Sequence, residues 1–177
     1  MIFVETKIEG ALIIEPERDE DKRGFFIRAW CEREFEQRGL ISHFVQFNIS
    51  CSKKAGTLRG LHYQVPPHQE AKLMCCTKGV LYDVILDTRP KSPTFKRWLA
   101  VDLRADTYKM LYIPCGVAHG FQTLTDDTEV FYPVSQFYFP ESERGIRWND
   151  PTFAIKWPET GTLILSDKDK NWPDWSL

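Results

Sequence analysis

The chain lacks the features that would direct it to a membrane, a nucleic acid or an oxidising compartment. No window approaches the roughly 18 apolar residues of a membrane span. Acidic and basic residues nearly balance, 25 against 23, leaving a net charge of −2 and a pI near 6.1. No basic excess is available for a phosphate backbone, so neither nucleic acid nor membrane is expected as a partner. Residues 1–7 show no basic region followed by an apolar core, so no signal peptide is expected. The five cysteines, Cys31, Cys51, Cys75, Cys76 and Cys115, are odd in number and form no CxxC pair. That pattern fits reduced thiols in a cytoplasmic protein better than a disulfide framework. Histidine is scarce, with four in the chain. A metal site in a barrel usually draws three or more ligands from histidines and carboxylates. No segment supplies such a set, so no metal is expected.

What is present is apolar and aromatic. At 177 residues, 42% hydrophobic and 14% aromatic, the chain can bury a sizeable core as one domain spanning 1–177. Segments 11–15, 24–30, 44–50, 71–77, 79–87, 98–103, 109–113, 118–124 and 129–139 are rich in Val, Ile, Phe, Tyr and Trp, with turn residues between them. One short charged helix is expected over 32–38, anchored by Phe35 and ending before Gly39. Many short strands at fairly even spacing predict an all-β fold, a sandwich, jelly roll or barrel, with little helix at its periphery. Residues 148–177 hold four tryptophans and are expected to wrap the barrel or pack on a partner.

The segment Arg59-Gly60-Leu61-His62-Tyr63-Gln64 carries the most chemistry. On a strand, Leu61 and Tyr63 share one face while Gly60, His62 and Gln64 share the other. A histidine aimed into a cavity beside a guanidinium suits proton transfer on an anionic substrate. His119, in Pro114-Cys115-Gly116-Val117-Ala118-His119-Gly120, is a second glycine-flanked histidine that a tight turn would carry inward. His43 and His68 sit in polar surroundings and are expected to be exposed.

Seven segments in register extend this reading. They are Asp21-Lys22-Arg23-Gly24-Phe25-Phe26, Gln46-Phe47-Asn48, Leu58 through Gln64, Ser92-Pro93-Thr94-Phe95, Ile113 through Phe121, Gly145 through Pro151, and Leu165-Ser166-Asp167-Lys168-Asp169. Together the chain resembles the dTDP-4-dehydrorhamnose 3,5-epimerase family over nearly its whole length. The resemblance implies a cupin-type jelly-roll barrel, a homodimer, no cofactor, and a nucleotide-linked 4-keto-6-deoxyhexose as substrate. It implies His62 as base, Asp169 as the carboxylate that orients it, Tyr132 as acid and Lys72 at the ketone oxygen. Alone, Tyr132 reads as a packing aromatic and Lys72 as a solvated lysine. The resemblance further matches Arg23 and Arg59 to phosphate and sugar contacts, and Gln46, Phe47 and Asn48 to a binding strand. It matches His119, Glu143 and Lys168 to substrate contacts and Tyr138 to stacking on the base. Asp83, among apolar neighbours, is a further candidate because a buried carboxylate needs a partner.

Three positions depart from the family pattern. Arg28 stands where glutamate is usual, exchanging an acceptor for a five-donor cation. Phe47 replaces a polar residue, and Pro133 follows Tyr132 in place of lysine. These departures leave open a GDP- or CDP-linked sugar, and inversion of C3 or C5 alone. A metal-dependent cupin and a non-catalytic sugar-nucleotide binding protein are the competing readings from other classes.

Overall fold

The computed structural model describes residues 1–175. Its strands form two antiparallel sheets. One sheet contains β1 (Ile2–Glu5), β2 (Leu12–Glu15), β5 (Gln46–Ser52), β7 (Lys72–Lys78), β10 (Met110–Ile113) and β12 (Thr128–Val134). The other contains β6 (Leu58–Gln64), β8 (Val80–Asp87), β9 (Trp98–Arg104), β11 (Val117–Thr123) and β13 (Glu143–Gly145). The first has the order β1-β2-β10-β7-β12-β5 and the second β13-β6-β11-β8-β9. Most strands therefore lie beside partners distant in sequence, as in the expected jelly roll. A separate hairpin, β3 (Arg18–Asp21) and β4 (Gly24–Ile27), pairs only with itself.

Alternation along the strands splits the apolar residues into three layers. Met74, Cys76, Leu81, Ile85, Leu111, Phe121 and Val130 meet between the sheets. Ile14, Leu73, Met110 and Tyr112 face outward from the first sheet and are covered by Phe35, which lies on helix α1 (Glu32–Glu36). Phe35 meets Phe3, Trp30, Phe44 and Tyr112 at tilted or edge-on angles. Leu61, Val84, Leu86 and Ala118 face outward from the second sheet, under Ile146, Phe153, Trp157 and Trp175. The C-terminal segment thus wraps the barrel, one of the two outcomes expected for it.

Element boundaries differ from the sequence reading for local reasons. The strand expected over 129–139 ends at Val134, because Ser135 turns to accept from the Ala71 amide and Gln136 accepts from Phe137 N. The strand expected over 24–30 ends at Ile27. Strand β3, Arg-Asp-Glu-Asp, has no apolar residue to signal a strand, and hairpin pairing alone makes it extended. The second helix, α2 (Asp167–Lys170), was not anticipated, although Ser166 caps it by accepting from Asp169 N.

Candidate active site

A cavity of about 480 Å³ opens between the sheets, lined among others by Arg59, His62, Lys72, His119, Tyr132, Lys168 and Asp169. An adjoining cavity of about 260 Å³ shares His62, Lys72 and Tyr132 and adds Gln46, Asn48, Glu70, Tyr138 and Glu143. The volumes suit a small organic ligand. His62 comes from β6 in one sheet, whereas Lys72 on β7 and Tyr132 on β12 come from the other. Histidine and phenol thus enter from opposite walls.

Close approach of β6 and β11 sets the floor. His119 and His62 are cross-strand partners, with an irregularity beside them. A side chain at Gly60 would lie 2.6 Å from Gly120 Cα, and Gly60 also has a φ of +106°, so glycine is required there. As expected, Leu61 and Tyr63 turn to the outer layer while His62 and Gln64 line the cavity side.

His62 Nε2 lies 2.5 Å from Asp169 Oδ1. The short helix α2 delivers this carboxylate, and the Gly60 backbone also favours its charged form. Burial pushes the Asp169 carboxyl up, but the His62 ring and the Ser166 contact outweigh it and hold the group below the ordinary aspartate range. The carboxylate therefore stays ionised and fixes the imidazole tautomer. Trp172 stands edge-on to the His62 ring, 6.1 Å between centroids. Its own ring lies where a side chain at Gly145 would be, 1.9 Å away.

Tyr132 is kept a phenol. Burial raises its pKa first and the charge of Glu70 second, while Arg59 opposes them. Lys72 Nζ is 3.1 Å from Glu70 Oε1 and donates to the His62 carbonyl at 3.4 Å. At the mouth, Tyr138 Oη donates to Glu143 at 2.7 Å, and Lys168 Nζ reaches both Glu143 oxygens at 2.6 Å. Arg59 is exposed at the rim, donating to Ser52 Oγ at 3.3 Å.

The structure brings together His62, Tyr132, Asp169 and Lys72, the four residues to which the resemblance gives catalytic roles, and Gln46, Asn48, Arg59, His119, Tyr138, Glu143 and Lys168 around them. Asp83 lies beneath the cavity, fully buried, with Oδ1 2.8 Å from His119 Nε2. Three residues stand elsewhere. Phe47 alternates to the outer face of β5, 64% exposed, and meets Phe131. Arg23 sits on the β3–β4 hairpin, paired to Asp21 at 2.5 Å. Arg28 follows β4 as an exposed residue beyond the strand end. The hairpin is anchored away from the cavity by Phe25 against Tyr108, 5.4 Å between centroids, with Arg18 over both rings. His68 is half-buried rather than exposed, stacked on Phe139 and bonded to Ser142.

Sequence reasoning missed Glu70 and Ser166, and it placed Gln64 on the cavity face without giving it a role. Of the two missed residues Ser166 had a signal, since Ser-x-x-Asp is a capping signature. Among the described residues, no group of three or more His, Cys, Asp or Glu side chains is placed to hold a metal ion. No helix among them is long and apolar enough to cross a membrane.

Known proteins share this architecture. The family model for dTDP-4-dehydrorhamnose 3,5-epimerase matches residues 5–176. The chain is 46% identical to the dTDP-4-dehydrorhamnose 3,5-epimerase of Escherichia coli (strain K12), over 96% of this chain and 92% of that one. The epimerase structure from Elizabethkingia anophelis superposes with a TM-score of 0.95 at 42% identity, covering 99% and 96% of the two chains. The Legionella pneumophila enzyme, solved in complex with dTDP-4-keto-L-rhamnose, gives 0.89 at 39% identity over 95% and 89%. A 3'-monoepimerase from Streptomyces bikiniensis, solved with dTDP-quinovose, also gives 0.89, at 36% identity over 97% and 86%. With fold, cavity and near-complete alignment in agreement, the chain belongs to the dTDP-4-dehydrorhamnose 3,5-epimerase family.

Proposed function

We propose that the protein is an epimerase that inverts C3 and C5 of dTDP-4-dehydro-6-deoxy-D-glucose, giving dTDP-4-dehydro-L-rhamnose, without a cofactor. The observation that carries the reading is the placement of His62 and Tyr132 on opposing walls of one cavity.

The C4 ketone acidifies the hydrogens on C3 and C5. His62 takes one of them, and Asp169 stabilises the imidazolium that forms. Negative charge moves to the C4 oxygen, where the Lys72 ammonium meets it. Tyr132 then returns a proton from the opposite face, and the centre is inverted. Arg59 at the rim and Lys168 at the mouth supply cationic donors for the diphosphate, and Tyr138 offers a flat face to the base. Gln46 and Asn48 supply further polar contacts from β5.

A homodimer completes the proposal. Phe47 and Ile49 are 64% and 68% exposed on β5, an edge strand, and such edges favour being covered. The hairpin bearing Arg23 and Arg28 pairs only with itself and lines neither part of its own cavity, and in the proposed dimer it is assigned to the partner's substrate. Light scattering is expected to give twice the 20.7 kDa chain mass, and a monomer at low micromolar concentration contradicts this part of the proposal.

Inversion of one centre alone is the second reading, because the monoepimerase shares the fold at a comparable TM-score. Incubation with the dTDP-, GDP- and CDP-linked 4-keto-6-deoxyglucose in deuterated water tests both. Deuterium at C3 and C5 of the dTDP sugar supports the proposal, and deuterium at one carbon supports the alternative. Binding without exchange would show a non-catalytic protein. Activity is expected to survive prolonged chelation and dialysis, and a loss restored by metal would overturn the mechanism.

A further inference from the structure

We infer that Glu70 is a positioning residue of the proton-transfer site, holding the Lys72 ammonium against the cavity wall and placing a negative charge beside Tyr132. The inference rests on the epimerase reading above.

Glu70 lines the cavity shared by His62, Lys72 and Tyr132. Its side chain is 13% exposed and that of Lys72 is 11%. Both charges are therefore largely withdrawn from water, which is costly and contributes little stability that a pair of apolar side chains would not match. A carboxylate in the wall of a site for a doubly charged diphosphate adds a second cost, like-charge repulsion. Geometry shows what offsets them. Glu70 Oε1 takes the Lys72 ammonium at 3.1 Å, and Oε2 faces Gln64 Nε2 at 3.4 Å. Gln64 is itself buried and locked, donating to the His68 and Phe137 carbonyls and accepting from Phe139 N at 2.6 Å. The carboxylate is thus held from β6, the strand of the base, while it grips a lysine on β7. The other contact of that lysine is the carbonyl of His62.

Two consequences follow. The ammonium cannot swing out to solvent or onto the diphosphate, so it stays where the enolate oxygen develops. The same carboxylate, second to burial, helps keep the Tyr132 phenol protonated against the pull of Arg59. The other charged or titratable groups facing this corner among the described residues are His62 and Tyr63 from β6, Asp169 and Lys168 from α2, Glu143 from β13, Tyr138 from the segment before it, and Cys115 from the turn before β11. The Cys115 thiol is itself pushed up by burial and then by Glu70.

The test compares Glu70→Gln and Glu70→Asp with the wild type, reading epimerisation rate against pH, dTDP affinity by calorimetry, and the melting temperature. Glu70→Gln is expected to lower kcat about tenfold, a fraction of what acid–base groups contribute, with dTDP affinity within about twofold. Its alkaline limb is expected to move to lower pH by about half a unit, because a charge that favours the neutral phenol is gone. Glu70→Asp keeps the charge and shortens the reach, so it should lose rate while keeping the limb. An unchanged rate and profile in Glu70→Gln would overturn the inference, as would a loss carried wholly by weaker dTDP binding. Should Glu70→Gln fail to fold, a displaced limb in Glu70→Asp would overturn it equally. A wild type without any exchange would instead sink the epimerase reading itself.

Discussion

Two histidine–aspartate pairs lie side by side in this protein, and they are built differently. His62 and His119 are cross-strand partners on β6 and β11, and each has a carboxylate close to Nε2. The His62 side chain is 31% exposed, open to the cavity. Asp169 beside it is held in place by its own amide donating to Ser166 Oγ, and the His62 ring, Ser166 and the Gly60 backbone favour its charged form. The His119 and Asp83 side chains are 8% and 0% exposed, and among the described residues neither Asp83 oxygen makes an aligned hydrogen bond. One pair is ordered by several contacts and faces the cavity. The other is close in distance and sealed in the floor. Proton transfer needs both access and a fixed tautomer, so the pair delivered by α2 is the one equipped to act as base, while His119 lines the cavity floor.

The largest effect expected from breaking this contrast is at His62. His62→Asn should lower epimerisation by about 10³-fold or more, the range of a lost general base, while dTDP still binds by calorimetry. A wild-type rate there would end the assignment. Asp169→Ala should cost on the order of 10²-fold, because the base remains but loses its orientation. A loss equal to that of His62→Asn would show that the carboxylate takes part more directly.

A stability test on a third buried aspartate comes next. Arg89, Ser92 and Thr94 hold Asp87 down to about 2 despite the opposing effect of burial. A folded pKa below the unfolded value means stability that is present above pH about 4 and lost as pH falls towards 2. Asp87→Asn should therefore lower stability at neutral pH by about 2 kcal/mol and flatten the acid limb of a denaturation series, without altering kcat.

Smaller effects are expected further from the base. His119→Asn should raise KM about tenfold, the scale of one lost hydrogen bond, with kcat within a few-fold. A kcat loss as large as that of His62→Asn would make the two pairs equivalent and remove the distinction drawn here. Arg28→Glu should move the ratio of dTDP to GDP affinity severalfold, and an unchanged ratio would show that Arg28 does not read the base.

Most of this was legible in sequence because alternation is local. Leu61, His62, Tyr63 and Gln64 fall on the faces that a period of two assigns them, and Phe35 anchors its short helix as its charged surroundings suggest. The all-β class followed from strand-forming runs between turn residues. What stayed hidden depends on distant partners. The hairpin strand Arg18–Asp21 is extended only because Gly24–Ile27 pairs with it. Glu70 reads as an ordinary charged residue before a strand until β7 and β6 bring Lys72 and Gln64 to it. Motif order places Arg23 and Arg28 with the site residues, but it carries no information about whether a self-paired hairpin points at its own cavity or away from it.

Inversion through opposite walls is most directly tested by Tyr132→Phe in deuterated water, followed by NMR at C3 and C5. The phenol's hydroxyl is removed while His62, Asp169 and Lys72 remain. The expected result is deuterium entering the sugar with its configuration retained, as His62 removes a proton and returns a solvent-exchanged one to the same face, and net epimerisation all but lost. Inverted product formed at the wild-type rate would place the proton donor elsewhere and contradict the two-wall mechanism.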